Sequence, residues 1–580
     1  MRKPVTACAV ALAALLLIPA GASASRNLYT GNYTGSVGTF AIDNATGTLS
    51  PATASIVPAG NGTRGVVLTP DGKYLYLSDR GGDQVLGYTV GADGALTPMA
   101  APFPTGNGPS GLTATSDGKF LYAANSNSNN ISGFSVGSNG ALTALPGSPY
   151  AAGAASNGIA SSPDAKTIYV ANGMGTNLSG WSIGADGALT AIPASPVAGG
   201  VDPSGIAFDP SGRFLYVGHD DPGGTIRGFA VSTGGALSPL PGSPYTSPSI
   251  YGGLAVAADG KHLYSVSPDA VGVTAFTIGA DGALGAVSGS PFATSDTNMQ
   301  GVAITPDSLH VYAMTANQQP NVDGFTAADT GALTAVTGSP FSSGEDGAEF
   351  QSLAVSPNQG PKASLTVIPK APGVKEKTQF KGDGSTDSDG SIVSYVYDFG
   401  DGDTKTGTAE KPKVSHKYKQ TGTYTVTLTV TDNEGCSTSV VYTGQTASCN
   451  GGTQAVSTKE ITVSDKEIEK PKLKAKSKQT QSGKTVKIEV KGGANEKVTL
   501  VGTGVVKIKG SGQQALLKVK KDVKAKQQKT LKLKLKRESA NKKVFKALDQ
   551  GKPVKANVQV KFKDEAGNEL VQKVPAIELR

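Results

Sequence analysis

GADGALT, at residues 91–97, decides the fold because the chain repeats it at nearly regular intervals. The stretch recurs unchanged at 184–190, and it returns with small changes as GSNGALT at 137–143 and GADGALG at 279–285. A glycine-rich turn that returns with the same neighbours belongs to a repeated structural unit. The sequence therefore indicates a repeat architecture rather than one irregular domain.

A tyrosine after an aliphatic residue marks each unit. It occurs at Tyr29, Tyr76, Tyr122, Tyr169, Tyr216, Tyr264 and Tyr312, at intervals of 46 to 48 residues. Each unit holds four short apolar segments between Gly, Asp and Pro turns, as in GIAFDP, RFLYVG, TIRGFAV and ALSPLPG within 205–242. Four strands per unit, seven units and no helical periodicity predict an all-β seven-bladed β-propeller over residues 25–359.

The two ends of the repeat region are incomplete in complementary ways. The first unit begins at a second strand, Asn27–Thr30, and a spare first strand, Ser352–Pro357, follows the seventh unit. Pairing of these two strands in one blade would close the ring without an open edge. We therefore predict closure by strands from both ends of the region.

The connections in each unit differ in how much they vary. The turns between strands one and two, and between strands three and four, hardly change and share one face, the conserved-turn face. The connections between strands two and three, and from blade to blade, differ in every copy and share the opposite face, the variable face. Sites are usually built from loops on a rigid scaffold, so we expect any site on the variable face.

The repeats resemble a known family. TPDGKYLYLSD, SPDAKTIYVAN and DPSGRFLYVGH look like the lactonase-type seven-bladed propellers, which include 6-phosphogluconolactonase and carboxymuconate-cyclising enzymes. Related YVTN-repeat propellers occur in microbial surface-layer proteins. The resemblance covers Asn27 to about Asn358. It implies that enzymatic members use His, Arg and a carboxylate around the channel to open or close a lactone.

One set of residues on the variable face could supply that chemistry. His219 is the sole histidine predicted there and is the expected general base, because its unperturbed pKa is near neutrality. Asp220 would orient it, and Arg64 or Arg80 would hold an anionic substrate. The alternative is that His219 and Asp220 belong to a solvated turn.

A second domain is predicted over residues 360–465. YDFGDG at 397–402 and GTYTVTLTVTD at 422–432 resemble the PKD module, which implies an immunoglobulin-like β-sandwich that acts as a spacer or as a protein or glycan contact. The apolar residues of the second stretch alternate with threonines, as in a half-buried strand. The alternation agrees with a β-sandwich, and the resemblance implies that the domain is not catalytic.

Two smaller predictions fall in this domain. Cys436 and Cys449 are an even pair that we expect to form a disulfide, worth roughly 3 kcal/mol, although two free thiols remain the alternative. Asp383, Asp387 and Asp389 lie close enough in sequence to offer oxygen ligands to calcium. The alternative is a hydrated turn without metal, and no other cofactor is expected.

Charge divides the chain into three regimes. From 25 to 360 it has 9 Lys+Arg against 22 Asp+Glu, from 361 to 465 it has 11 against 12, and from 466 to 580 it has 31 against 11. The net charges of −13, −1 and +20 indicate at least three domains. In the last one, period-two stretches such as LKLKLK predict a lysine-lined β-sandwich-like module with one short helix over 538–550.

The first residues predict export. Residues 1–24 combine Arg2 and Lys3 with a short apolar run and a small-residue exit, as in a secretory signal peptide, and no segment is long enough to span a membrane. The cationic module would bind anionic wall polymers, acidic glycans or lipid headgroups, or it would fold back on the acidic propeller. A surface protein is a further expected partner of the chain. Nucleic acid is not expected, because aromatic residues do not interleave with the lysines. The lysines could also serve solubility alone.

These observations predict a monomeric, all-β binding or adhesion protein that is secreted, extracellular or associated with the cell wall. A propeller would present a binding face, and the PKD and cationic modules would tether it. The alternative is a secreted lactone hydrolase with accessory anchoring domains.

Overall fold

The computed structural model describes residues 26–580 except 34, 194, 221–223, 249, 251–252, 269–271, 316–320, 343–352, 443–446, 465–470, 484, 495–496 and 565–567. The predicted signal peptide lies outside the described residues. No helix among those described is both long and apolar enough to cross a bilayer. The chain forms two compact units. The first comprises 1–362, 386–393 and 430–455, and the second comprises 363–385, 394–429 and 456–580.

The first unit contains a seven-bladed propeller, as predicted. Its inner strands are Thr63–Leu68, Pro109–Ala114, Ser156–Ser161, Pro203–Phe208, Leu254–Val256, Met299–Ile304 and Leu353–Val355. Its second strands are Arg26–Asn32, Tyr74–Asp79, Phe120–Asn125, Thr167–Asn172, Phe214–His219, His262–Val266 and His310–Thr315.

The outer half of each blade is built in the same way. The third strands are Ser36–Ile42, Gln84–Val90, Asn130–Val136, Asn177–Ile183, Thr225–Val231, Val273–Ile278 and Asn321–Ala327. The fourth strands are Leu49–Pro58, Leu96–Pro98, Leu142–Ala144, Leu189–Ala191, Leu237–Pro239, Leu284–Ala286 and Leu333–Ala335. Two-residue strands also pair with third strands, at Phe103–Pro104, Tyr150–Ala151, Val197–Ala198, Tyr245–Thr246 and Phe341–Ser342.

Strands from both ends of the region close the ring. Leu353–Val355 pairs with Arg26–Asn32 in antiparallel register, with Tyr29 opposite Ala354. The closing strand therefore takes the inner position of the blade that Arg26–Asn32 begins. The predicted closure is confirmed.

The repeated tyrosine and the repeated turn are partners. In every blade the buried tyrosine hydroxyl donates a hydrogen bond to the carbonyl of the turn glycine in the next blade. The acceptors, in order from Tyr29 to Tyr312, are Gly94, Gly140, Gly187, Gly235, Gly282, Gly331 and Gly47. The last bond returns to the first blade, so the seven hydroxyls form a closed tyrosine ring.

The turn requires glycine for two reasons. The seven acceptor glycines have φ between 71° and 83°, a region that L side chains rarely adopt. A Cβ on Gly282 would also lie 2.6 Å from the ring of Phe214. The repeated GADGALT stretch therefore preserves the turn that accepts the tyrosine bond of the neighbouring blade.

The PKD-like region forms two sheets, as the resemblance implied. One sheet orders Thr366–Ile368, Thr378–Lys381 and Lys413–His416, and the other orders Thr404–Thr408, Ile392–Asp398, Gly422–Asp432 and Val456–Val463. Val426 and Leu428 are fully buried, which confirms the predicted alternation. Val440–Tyr442 and Ala447–Asn450 form a separate hairpin, followed by a short 3₁₀ helix at Thr453–Ala455. Cys436 and Cys449 form the predicted disulfide.

The cationic region also consists of two sheets. The first orders Lys472–Lys474, Lys487–Gly493 and Lys529–Lys534. The second contains Lys478–Gln479, Ile577–Leu579, Val554–Asp564, Val498–Ile508, Gln513–Ala515, Val519–Val523 and Glu569–Lys573. The single α-helix among the described residues is Glu538–Asp549, close to the predicted range. Apolar residues such as Leu531 and Leu533 are buried, while the lysines that alternate with them are exposed.

Candidate functional site

The last residue of the second strand anchors the variable face in several blades. Asn172 is fully buried, accepts hydrogen bonds from the N–H of Gly153 and the hydroxyl of Ser156, and donates to Asn177. Gly153 lies in the connection from the preceding blade, Ser156 begins the inner strand that follows it, and Asn177 begins the third strand. The two kinds of variable connection therefore share one face, as predicted.

Equivalent anchors occupy the same position in other blades. Asp79 is buried and accepts from the N–H groups of Asn61 and Gly82, and Asn125 is fully buried and donates to Asn130. Each anchor lies against a glycine of the preceding connection. A Cβ on Gly60 would lie 2.0 Å from the Asp79 carboxyl carbon. These side chains hold loops in place and are largely removed from solvent.

His219 is another of these anchors. Its side chain is fully buried, its Nε2 contacts the carbonyl of Gly199, and its Nδ1 lies 3.2 Å from the hydroxyl of Thr225. Each ring nitrogen also faces a backbone carbonyl, that of Gly199 for Nε2 and that of Thr225, 3.0 Å away, for Nδ1, and the nitrogen that carries the proton donates to the carbonyl it faces. The expected role of general base requires a ring nitrogen that can reach substrate. The structure instead engages both nitrogens inside the blade, so we assign His219 a structural role.

Substitution of His219 tests this assignment. His219→Asn should retain most of the stability, because asparagine fills the same position at Asn125 and Asn172. His219→Ala should lower the free energy of unfolding by about 1–3 kcal/mol, since it leaves buried polar groups without a partner. Urea unfolding of both variants measures the difference. A folded His219→Asn protein that lost a measured lactone hydrolysis would restore the catalytic role.

The other predicted catalytic residues make contacts of their own. The backbone N–H of Asp220 donates to the carbonyl of Asp202, 3.0 Å away. Arg80 follows the second strand of its own blade and donates from Nη2 to Asn127 at 3.2 Å. Arg64 lies at the start of an inner strand and is partly buried. The hydrogen bonds of the His219 ring go to Gly199 and Thr225, so an orienting role of Asp220 stays a prediction without support from that geometry.

Arg64 belongs to a set of five equivalent residues, which we call the inner-strand ring. Each member lies at or next to a β-bulge, where pairing between the inner and second strands shifts register. Bulges re-aim side chains and are common next to sites. The members are Arg64, Ser110, Asn157, Ser204 and Gln300.

The inner-strand ring contains buried polar atoms that lack protein partners. Among the described residues, the hydroxyl oxygens of Ser110 and Ser204 and the side-chain carbonyl of Gln300 have no hydrogen-bond partner. The two serines are 0% and 1% exposed. Buried polar groups are nearly always hydrogen-bonded, so the unpartnered atoms at equivalent positions of several blades make this ring the candidate place for a polar ligand. Its members stand at the variable-face ends of the inner strands, which surround the central axis of a propeller.

Sequence reasoning missed four of the five ring members. The loops after the second strands attracted attention because they differ in length and composition. Each member of the inner-strand ring instead directly precedes a glycine that recurs in these strands, as in PSGL at 109–112 and MQGV at 299–302. A variable polar residue directly before a recurring glycine was the available signal.

The hairpin of the PKD-like region meets the propeller at the opposite end of an inner strand. Tyr442 is 1% exposed, and burial raises its pKa, while contacts with the side chain of Thr113 and the backbone of Ala114 lower it. Both partners end the inner strand Pro109–Ala114, next to a conserved turn. The hairpin also joins the propeller through Asn450, whose amide donates to Gln359 at 3.0 Å. These contacts place the hairpin on the conserved-turn face of the propeller.

The predicted calcium ligands separate into a pair and a single residue. Asp383 is exposed and forms an ion pair with Lys413 at 2.7 Å. Asp387 and Asp389 interact with each other: the pKa of Asp389 is raised to about 7, mainly by burial and in part by the charge of Asp387. Asp389 also accepts from the N–H of Gln359 at 2.8 Å. Calcium on Asp387 and Asp389 stays a prediction, and Asp383 is better placed to pair with lysine.

Within the described residues, one cluster meets the geometry of a metal site. The ligating atoms of Asp401, Asp403 and His416 lie within 4.8 Å of one another. His416 Nε2 lies 2.7 Å from Asp401, and its ring stacks on Phe399 with a centroid distance of 4.2 Å. These contacts explain the cluster as a structural brace of the YDFGDG turn.

Comparisons with known proteins agree with the architecture. Residues 20–250 match the family model described as lactonase, 7-bladed beta-propeller, and residues 358–446 match the PKD domain model. The predicted resemblance to lactonase-type propellers followed by a PKD module is confirmed. No curated protein sequence in the comparison matches the chain.

Two of the solved structures that are similar to this chain also carry lactonase names. A protein of Bacteroides uniformis provisionally named as a 6-phosphogluconolactonase is 19% identical, with a TM-score of 0.49, over 57% of this chain and 99% of that chain. The periplasmic gluconolactonase of Pseudomonas aeruginosa is 19% identical, with a TM-score of 0.48, over 57% of this chain and 99% of that chain.

Proposed function

We propose that this chain is an exported binding protein whose propeller takes an anionic, hydroxyl-rich small molecule at the variable-face mouth of the channel. The observation that carries the proposal is the inner-strand ring, with unpartnered buried oxygens on Ser110, Ser204 and Gln300. Arg64, in the same ring, supplies a cation that suits a carboxylate or phosphate. The serine hydroxyls and the amides of the ring suit ligand hydroxyl groups.

The composition of the ring favours binding over catalysis. Its five described members include no histidine and no carboxylate. Lactone hydrolysis at neutral pH needs a group that activates water, and a base must lie within hydrogen-bond reach of it. His219 is buried among backbone carbonyls, and Asp79 accepts from backbone N–H groups. A secreted lactone hydrolase remains the second candidate, supported by the lactonase family match and the names of the solved neighbours.

The remaining modules serve to tether the propeller in this proposal. The PKD-like region is a spacer or a contact for proteins and glycans, and the cationic region holds the protein near an anionic surface such as a wall polymer. The net charge of +20 between residues 466 and 580 supports the second role. Attraction of this kind should weaken with salt, because the Debye length falls from about 10 Å at 0.1 M to about 3 Å at 1 M.

Binding of 6-phosphogluconate tests the site. Arg64→Gln should weaken binding about 10- to 100-fold, which corresponds to the loss of one charge-assisted hydrogen bond. Arg213→Gln is the matched control, because Arg213 follows a conserved turn and stacks on Phe214. Titration calorimetry of the three proteins measures the effect.

A lactone assay separates the two candidates. The binding proposal requires that the wild-type protein leave the rate of gluconolactone hydrolysis unchanged. Acceleration that Arg64→Gln abolishes would establish the hydrolase instead. Equal affinity of wild type and Arg64→Gln for 6-phosphogluconate would exclude the ring as the site.

A further inference from the structure

A cavity of about 780 Å³ in the cationic region is lined by lysines from two segments. One segment runs from Lys474 to Ser482, and the other belongs to the strand Lys487–Gly493. The exposed lysines around the cavity, which we call the lysine face, are Lys474, Lys476, Lys478, Lys487 and Lys491. No arginine lines the cavity.

Two glutamines hold the walls of this cavity apart. Gln479 donates to the carbonyl of Glu489 and accepts from its N–H, both at 2.9 Å. Gln481 makes the same two contacts with Lys487, at 3.1 and 2.8 Å. The side-chain amides of Gln479 and Gln481 thus make the hydrogen bonds that the backbone of a neighbouring strand would otherwise make along this edge of Lys487–Gly493. Near Gln479 and Gln481 the two segments are therefore separated by the length of a side chain, which leaves a trough.

The charges of the lysine face are not neutralised by the protein. Lys474 is directly opposite Lys491 in the strand pairing, and Lys487 is directly opposite Lys534. Like charges in such positions are destabilising. Glu489 is the single carboxylate in the lining, and it pairs with Lys532 at 3.4 Å. Within the described part of the chain, none of the five lysines forms an ion pair.

We propose that the lysine face binds a linear phosphate-bearing polymer. This inference rests on the tethering part of the proposed function and names the surface and the ligand chemistry for it. The trough accepts a chain, and lysines on both walls meet successive negative charges of that chain. A bound polyanion would remove the repulsion between Lys474 and Lys491 and between Lys487 and Lys534.

Lysine is a compact point charge that binds phosphate oxygens without the planar, two-pronged geometry that arginine offers to carboxylate and phosphate alike. We take phosphate as the ligand chemistry, and comparison with a carboxylate polymer tests that choice. Single contacts between exposed charges are weak, so affinity depends on many contacts made by one chain. The structure therefore assigns the site to a polymer and not to free phosphate.

The test uses the full chain with long-chain polyphosphate over a salt series. The variant combines Lys474→Gln, Lys487→Gln and Lys491→Gln, and the control combines Lys518→Gln, Lys520→Gln and Lys521→Gln, which removes equal charge around the strand Val519–Val523. The lysine-face variant should bind about ten-fold more weakly at about 0.1 M salt. Its slope of log affinity against log salt should be shallower by roughly 2, and the control should resemble wild type.

Stability gives a second readout. Lys474→Glu should raise the thermal midpoint, because it replaces a like-charge pair with an ion pair to Lys491, and it should weaken polyphosphate binding. Opposite changes in stability and binding are not expected from a variant that simply misfolds.

Other outcomes would overturn the proposal at different points. Equal losses in the two triple variants would show a response to total charge rather than to this face. Tighter binding of polygalacturonate than of polyphosphate would exclude the phosphate assignment, and saturation by inorganic phosphate would exclude a polymer site. Failure of the wild-type chain to bind any of these polymers at low salt would exclude the proposed tethering role of the cationic region.

Discussion

Above about pH 10 the protein is expected to lose stability steeply, because its seven ring tyrosines are protonated in the folded state and ionised in the unfolded state. Burial is the main cause: it raises the pKa of each of them, and that of Tyr169 to about 12. An unfolded tyrosine ionises near pH 10, so the unfolded state binds fewer protons than the folded state above that pH. The stability that the neutral hydroxyls contribute is complete below about pH 10 and is lost as the pH rises toward the folded pKa values.

The expected size of this effect is large. Each tyrosine that ionises only on unfolding lowers the free energy of unfolding by about 1.4 kcal/mol per pH unit, so seven lower it by about 10 kcal/mol per unit. Whole domains have about 5–15 kcal/mol of stability. The propeller should therefore unfold within about one pH unit once the unfolded tyrosines are fully ionised.

Urea unfolding between about pH 8 and pH 11 measures the slope, and tyrosinate absorbance shows when the hydroxyls ionise. The absorbance of the buried tyrosines should rise together with the loss of β-sheet circular dichroism. Tyr216→Phe should cost about 1 kcal/mol near neutrality and reduce the slope by about 1.4 kcal/mol per pH unit. Ionisation that precedes unfolding would show that the ring does not keep the tyrosines neutral.

The tyrosine ring also shows how far sequence reasoning reaches. The regular recurrence of the tyrosine represented by Tyr76 and the repeat of the GADG turn were both visible in the sequence. Together they predicted the number of blades and the order of the strands. The link between them was not visible, because the hydroxyl of Tyr76 bonds Gly140, 64 residues further along the chain. A linear pattern identifies the strands of each unit, but it does not say which neighbour supplies the partner of a buried hydroxyl.

The candidate site was harder to predict for a related reason. His219 drew attention as a rare residue type, whereas its position in the repeat matches Asn125 and Asn172, which are buried anchors. Ser110 and Ser204 of the inner-strand ring did not stand out in the sequence, because serine is common. Their significance depends on the β-bulges and on their unpartnered hydroxyls, which only the structure reveals. Positional equivalence between repeats would have been a better guide than residue chemistry.

The second large effect is a loss of stability when closure of the propeller is disrupted. We expect Ala354→Asp to produce it. Ala354 is 3% exposed and contributes to the core formed by Tyr29, Val66 and Leu75. A carboxylate there must be buried without a partner or expel the closing strand, so we expect the free energy of unfolding to fall by about 4 kcal/mol or more.

The consequence should extend beyond one blade. Expulsion of Leu353–Val355 would remove the inner strand of the first blade and expose the edge of Arg26–Asn32, so unfolding should become less cooperative. Ala335→Asp is the matched control: it makes the same change on an exposed outer strand and should alter stability by no more than about 0.5 kcal/mol. Calorimetric and van't Hoff enthalpies of both variants measure cooperativity. A sharp, unshifted transition for Ala354→Asp would mean that the ring holds without this strand, and closure would then rest on the contacts between blades, including the bond from Tyr312 to Gly47.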